Sequence, residues 1–339
     1  MKQILLIFLC SLGIFLIPSP QQKMESISTA AVPISCSSYV VMEKSTNKVL
    51  ESKDMHTSRS VASISKIMTA IVAIENVNLE DIVTIPQEIN EVYGSMLYIH
   101  ENDQIPIMDL LYGLILRSGN DAAVSIAIHV GGTIEKFVEM MNQKAKNLNM
   151  QDSLFRNPHG LDEEDGGNLS SAYDMALLHA YALNNPVYRQ ITSAKQYKTY
   201  KNKNRLFNLY DCTTGGKTGY TKLAKRTLVS SAKQDDLELV IVTLNCGNDF
   251  GVHKSLYQYY FANYKGLIVL KAGENYIDSY CVKVEKEYVL MVSNDLDNLY
   301  LKYEIQKNSK QVHIYLQDQY GYVIEQVTIE LYCLPQKNE

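Results

Sequence analysis

The stretch SVASISKIMTA, residues 60–70, carries three serines, one lysine and the start of an apolar run. Ser63 stands three residues before Lys66, whereas Ser60 has Ser63 at that offset and Ser65 has Met68. Spacing alone does not select a nucleophile, because Ser45–Lys48 and Ser230–Lys233 repeat it. Local structure separates the three pairs. From Ser63 onward, Ile64, Ile67, Met68, Ile71 and Val72 recur at intervals of three and four, which predicts a helix with Ser63 and Lys66 on one face at its start. Ser45 and Lys48 fall at the turn of SYVVMEKSTNKVLESKD, read as strand, turn and strand, where a solvent-exposed lysine is expected. Ser230 and Lys233 fall in TLVSSAK, read as a strand, where an odd offset sends the side chains to opposite faces.

A serine hydroxyl becomes a nucleophile only when a neighbouring base takes its proton. Lysine can be that base when burial and nearby cations favour its neutral form. Backbone N–H groups at a helix start also stabilise developing negative charge. Ser63 and Lys66 meet these conditions.

Two further elements raise the pair above coincidence. RSGND (117–121) places Ser118 and Asn120 around Gly119, at a break in the helical pattern IMDLLYGLILRSGNDAAVSIAIHV. GGKTGYT (215–221) places Lys217, Thr218 and Gly219 on an expected strand entering a hairpin, and Lys-Thr-Gly occurs once in the chain. The order S-x-x-K, S-x-N, K-T-G holds, with 55 residues from Ser63 to Ser118 and 97 from Asn120 to Lys217. Other expected helices are TIEKFVEMMNQKAKNLN, SAYDMALLHAYAL and VHKSLYQYYFANY; TLVSSAK and LELVIVTLNC form an expected hairpin through Gln234-Asp235-Asp236.

With these blocks, and with FRNPHGLD and SSAYDMALL, residues 35–265 resemble the serine-type D-alanyl-D-alanine carboxypeptidases, the low-molecular-weight penicillin-binding proteins. The resemblance implies an α/β fold of the β-lactamase type, an antiparallel sheet flanked by helices, plus a small C-terminal all-β domain. It implies that Ser63 is acylated, Lys66 is the base, Ser118 relays a proton to the leaving amine, and Asn120 holds the substrate amide and orients Lys66. Lys217 and Thr218 would bind the terminal carboxylate and Gly219 would allow close backbone approach, with the N–H groups of Ser63 and Tyr220 as the oxyanion hole. Peptidoglycan stem peptides are the implied substrates and β-lactam antibiotics the implied covalent inhibitors; no metal or organic cofactor is implied.

The chain departs from that pattern in places. Val61 stands where proline is usual, and the arginine that many members carry after the last sheet strand is missing from CGNDFGVHKS, where His253 and Lys254 stand. His159 in NPHG is expected to be structural. A class A β-lactamase would need Glu three residues before Leu-Asn; Ala145 and Ala180 precede Leu148-Asn149 and Leu183-Asn184. A D,D-endopeptidase or a non-hydrolytic penicillin-binding sensor could use the same residues.

The remaining properties fit an extracytoplasmic enzyme. Of 339 residues 46% are apolar and 20% charged, and the formal net charge of −5 argues against nucleic acid as a partner. One lysine, an apolar run from Ile4 to Ile17 and small residues at STAA make 1–31 an expected signal peptide or N-terminal anchor, the latter on the outer face of the cytoplasmic membrane. Residues 32–264 form the expected catalytic domain and 265–339 a β-rich domain, with no amphipathic anchor helix after it. Six cysteines show no metal-ligand spacing and are expected to be small core or strand residues without a role.

Overall fold

The computed structural model describes residues 34–162, 166–278, 280–306 and 308–331, together with Leu334 and the backbone of 336–337. The expected leader 1–31, Cys10 and Cys333 lie outside the described residues.

Five strands build the central sheet: β1 (Ser38–Glu43), β2 (Val49–Lys53), β3 (Thr213–Thr221), β4 (Lys225–Gln234) and β5 (Leu237–Leu244). Their order is β2-β1-β5-β4-β3 and every pairing is antiparallel. All eight residues of β5 are buried, because both faces of the sheet are covered. Val40, Met42, Val229, Val240 and Val242 join the large helical core on one face. Val41, Leu228, Leu239 and Ile241 face Leu256, Tyr257 and Phe261 of the C-terminal helix on the other. Period-two alternation along each strand produces this division. Strand β3 is an edge strand, so a substrate can approach its free side.

The helices follow the expected pattern: α1 (Lys66–Asn76), α2 (Ile107–Tyr112), α3 (Asn120–Gly131), α4 (Ile134–Asn147), α5 (Ala172–Ala182), α6 (Pro186–Ser193) and α7 (Asp249–Asn263). Thr133, Ser171 and Asn185 cap α4, α5 and α6 by accepting backbone N–H bonds, and Pro186 opens α6, where its missing N–H costs nothing. After α2 the chain widens into a π-type turn over Gly113–Arg117 and breaks at Ser118, which has φ +66°. That break separates α2 from α3, turning Asn120 toward Lys66 of α1 and Ser118 toward Lys217 of β3.

Eight described strands follow α7, from Tyr264–Leu270 to Gln336–Lys337, and build the all-β part around Val282, Val312, Ile314 and Leu316. It rests on the β1–β2 turn, which corrects one expectation. Ser45 is 4% exposed: its Oγ accepts from the Val289 N–H at 2.8 Å, and the Glu43 carboxylate gathers the Ser45 and Thr46 N–H groups. Lys48 is ion-paired with Glu325. The turn was expected in solvent because no local signal reveals that a segment 244 residues away covers it.

The cysteine reading also needs correction, since Cys36 and Cys246 form a disulfide. The β1–β5 register pairs Ser38 with Leu244, and extending it two residues brings Cys36 opposite Cys246. Cys212 and Cys281 are free thiols. Closing a loop across 210 residues removes denatured-state entropy worth about 5 kcal/mol at 25 °C in the chain-entropy model. Reduction, or Cys36→Ser with Cys246→Ser, should therefore lower the unfolding free energy by about 3–5 kcal/mol. Urea unfolding with and without reductant measures this; an unchanged midpoint would show the bond contributes nothing.

Candidate active site

Ser63 sits in a single 3-10 turn, Ala62–Ser65, that runs into α1, and Lys66 is the first residue of that helix. Ala62 takes φ +52°, an uncommon conformation for a residue with a Cβ, and this kink turns Ser63 toward the cleft. The turn is backed by the NPHG loop. Gly160, at φ +80°, lies so close that a Cβ there would meet the Ala62 carbonyl oxygen at 2.2 Å.

Lys66 is fully buried, because Lys66 through Ile74 are all packed in the core. Its Nζ lies 3.0 Å from Ser63 Oγ and 2.7 Å from Asn120 Oδ1, and it also bonds the backbone carbonyl of His159. A neutral amine has two hydrogens and one lone pair. The Asn120 and His159 carbonyls can only accept, so they take the two hydrogens and the lone pair is left toward the Ser63 hydroxyl. Burial first, then the Lys217 and Lys203 ammonium groups, push the Lys66 pKa well below the usual lysine value, against the opposing pull of Asp121. Asp121 is itself engaged by the N–H groups of Leu97 and Tyr98.

A second lysine stands opposite. Lys217 on β3 is 1% exposed and donates to Ser118 Oγ at 3.0 Å and to the Thr218 carbonyl at 2.7 Å. Burial and the Lys203 charge lower its pKa to about 7. Gly219 follows where β3 passes Ser63. A Cβ on it would lie 2.4 Å from Thr227 Oγ1 and 3.0 Å from the Ser63 backbone nitrogen, so only glycine fits. Thr218, Gly219 and Tyr220 line the cleft with Ser63 and Ser118, and the cleft holds about 370 Å³.

All eight residues singled out in the sequence thus meet at one cleft. Burial and a neighbouring Lys66 charge hold the His159 imidazole near pKa 3, and it is the backbone carbonyl of this residue that touches the lysine. His253 is fully buried between Ser230 Oγ, at 2.6 Å, and Thr243 Oγ1, at 3.0 Å, on the α7 side of the sheet. Lys254 does not line the cleft, and neither do Ala145 and Ala180. Sequence reasoning missed the cations at its mouth: Lys203, which donates to Ser95 Oγ at 2.9 Å, Arg205 and Arg226. They arrive from a loop and a strand start that carry no motif.

Residues 24–248 match the D-alanyl-D-alanine carboxypeptidase family, peptidase S11, a span that takes in the whole motif set. The chain belongs to this family. Among S11 relatives, the D-alanyl-D-alanine carboxypeptidase DacF of Bacillus subtilis is 34% identical over 251 residues, 68% of this chain and 63% of DacF. The alignment thus spans less than two thirds of that relative. DacD of Salmonella typhimurium is 34% identical over 280 residues, 76% of this chain and 71% of DacD. The crystal structure of penicillin binding protein 5 from Haemophilus influenzae superposes with a TM-score of 0.74 at 26% identity, covering 90% of this chain and 98% of that one. That superposition bears out the antiparallel sheet with helices and the C-terminal all-β region.

Proposed function

We propose that this protein is a serine D,D-carboxypeptidase that removes the terminal D-Ala from peptidoglycan stem pentapeptides through an acyl-enzyme on Ser63. The observation that carries this reading is the buried Lys66 amine, held by Asn120 and the His159 carbonyl with Ser63 Oγ 3.0 Å away.

In this mechanism Lys66 takes the Ser63 proton as Oγ attacks the carbonyl of the penultimate D-Ala. The oxyanion forms against the backbone N–H groups of Ser63 and Tyr220, a preorganised pair that needs no reorganisation. Asn120 holds the substrate amide and keeps Lys66 oriented. As the tetrahedral intermediate collapses, Ser118 passes a proton to the departing D-Ala nitrogen, and the Ser118 hydroxyl is replenished through the lysine pair. Lys217 and Thr218 hold the terminal carboxylate, and Gly219 lets the peptide lie against β3. Water then attacks the acyl carbon and frees Ser63. A β-lactam carries the same carbonyl and carboxylate, so it acylates Ser63 and blocks the site.

The Cys36–Cys246 disulfide supports an oxidising, extracytoplasmic location. Among the described residues no helix is long and apolar enough to cross a membrane. The β-rich part, 265–339, is a second module that buttresses the catalytic domain through the β1–β2 turn.

The test is release of one D-alanine per peptide from a pentapeptide ending in D-Ala-D-Ala, with a penicillin adduct seen by intact mass. An adduct without D-alanine release would favour a sensor, and many penicillin turnovers per second would make it a β-lactamase.

A further inference from the structure

The cleft beyond Thr218 is built from groups that the motif set does not contain. Arg205 is the first residue of the short turn Arg205–Asn208, capped by Asn204, and Arg226 is the second residue of β4, opposite Tyr220. Both guanidinium groups lie over the Phe250 ring, with Cζ 5.2 Å and 5.4 Å from its centroid. Their electrostatic states differ. Arg226 Nη2 is 2.7 Å and Nε 3.2 Å from Asp249 Oδ1, and Asp249 is 2% exposed, so a carboxylate built into the fold already neutralises that charge. Asp249 also accepts the Phe250 N–H at 2.8 Å, which ties the ring to the same pair. Arg205 is exposed at the cleft and has no carboxylate partner among the described residues.

An uncompensated guanidinium stacked on a fixed ring is preorganised to take a carboxylate through two parallel N–H bonds. Because Phe250 limits its motion, less side-chain entropy is lost on binding. The segment after β5, residues 246–255, contains no arginine.

We propose that Arg205 is the specificity-determining cation of this cleft: stacked on Phe250, it takes the free C-terminal carboxylate of the substrate together with Lys217 and Thr218. Arg226 and Asp249 hold the platform. The assignment rests on the carboxypeptidase reading for the identity of the anion, a peptide terminal carboxylate.

The test compares Arg205→Gln and Arg205→Lys with the unaltered protein on an N-acylated peptide ending in D-Ala-D-Ala, as free acid and as C-terminal amide. Arg205→Gln should raise KM for the acid roughly tenfold while kcat stays within about threefold, the pattern of a lost charged contact. Its preference for acid over amide in kcat/KM should fall by the same factor, and Arg205→Lys should keep part of it. A KM within about twofold of the unaltered protein, a loss confined to kcat, or an equal loss on the amide overturns the assignment. A second readout is the rate of acylation by a penicillin and by its methyl ester, followed by intact mass; Arg205→Gln should slow only the acid. If the protein acylates but releases no D-alanine, the carboxypeptidase reading fails while this second readout still decides Arg205.

Discussion

Ser63→Ala should abolish D-alanine release and leave no penicillin adduct, a loss on the order of 10⁶-fold in kcat by analogy with other serine nucleophiles. No neighbour can replace it. Ser65 Oγ is turned back to donate to the Ala62 carbonyl at 2.9 Å, and Ser60 Oγ donates to Asp162 at 3.1 Å. Ser118 is bound to Lys217 rather than Lys66. Intact mass after penicillin treatment and D-alanine release together measure the loss. A stoichiometric adduct on Ser63→Ala protein would move the nucleophile elsewhere.

Lys66→Ala should cost about 10³–10⁴ in acylation, the upper range for removing a general base. The fold should survive, because the change removes a buried amine from a helix whose following residues remain packed. Retained penicillin labelling would end its role as base. The same lysine sets a pH dependence whose sign follows from its neutral working form. As pH falls through the lowered Lys66 pKa, the amine gains a proton and acylation declines, so the acidic limb belongs to Lys66. Lys217 works in the opposite sense, since a carboxylate is held best by its charged form. As pH rises past about 7 in the free enzyme, Lys217 loses its proton and kcat/KM falls. A bound carboxylate favours the charged ammonium, so the alkaline limb of kcat should lie above that of kcat/KM. Profiles of both parameters check this; an alkaline limb unmoved by Lys217→Arg would assign it to another group.

Much of the site was legible because its signals are local. The i, i+3 offset at a helix start brings Ser63 to Lys66 whatever surrounds them, and the Ser118–Gly119 break needed only a glycine in an apolar helical run. The hairpin through β3 and β4 was legible from strand composition, with Lys-Thr-Gly on the strand that enters it. Arg205 and Phe250 were not, because each is unremarkable in its own segment and gains meaning only from standing 5.2 Å from the other. The His159 carbonyl was equally hidden, since backbone oxygens leave no mark on a sequence.

By itself, then, the sequence singled out Ser63 and Lys66, the proposed nucleophile and base, and the helices and strands that carry them, since periodicity and short-range spacing act within one element. Tertiary structure alone decided the surroundings of the Lys66 amine. Burial, two carbonyls from α3 and the NPHG loop, and a second lysine from β3 must converge on one atom. It likewise decided the Cys36–Cys246 bond, since only the β1–β5 register, set by the long-range packing of two buried sheet faces, puts residues 210 positions apart opposite one another.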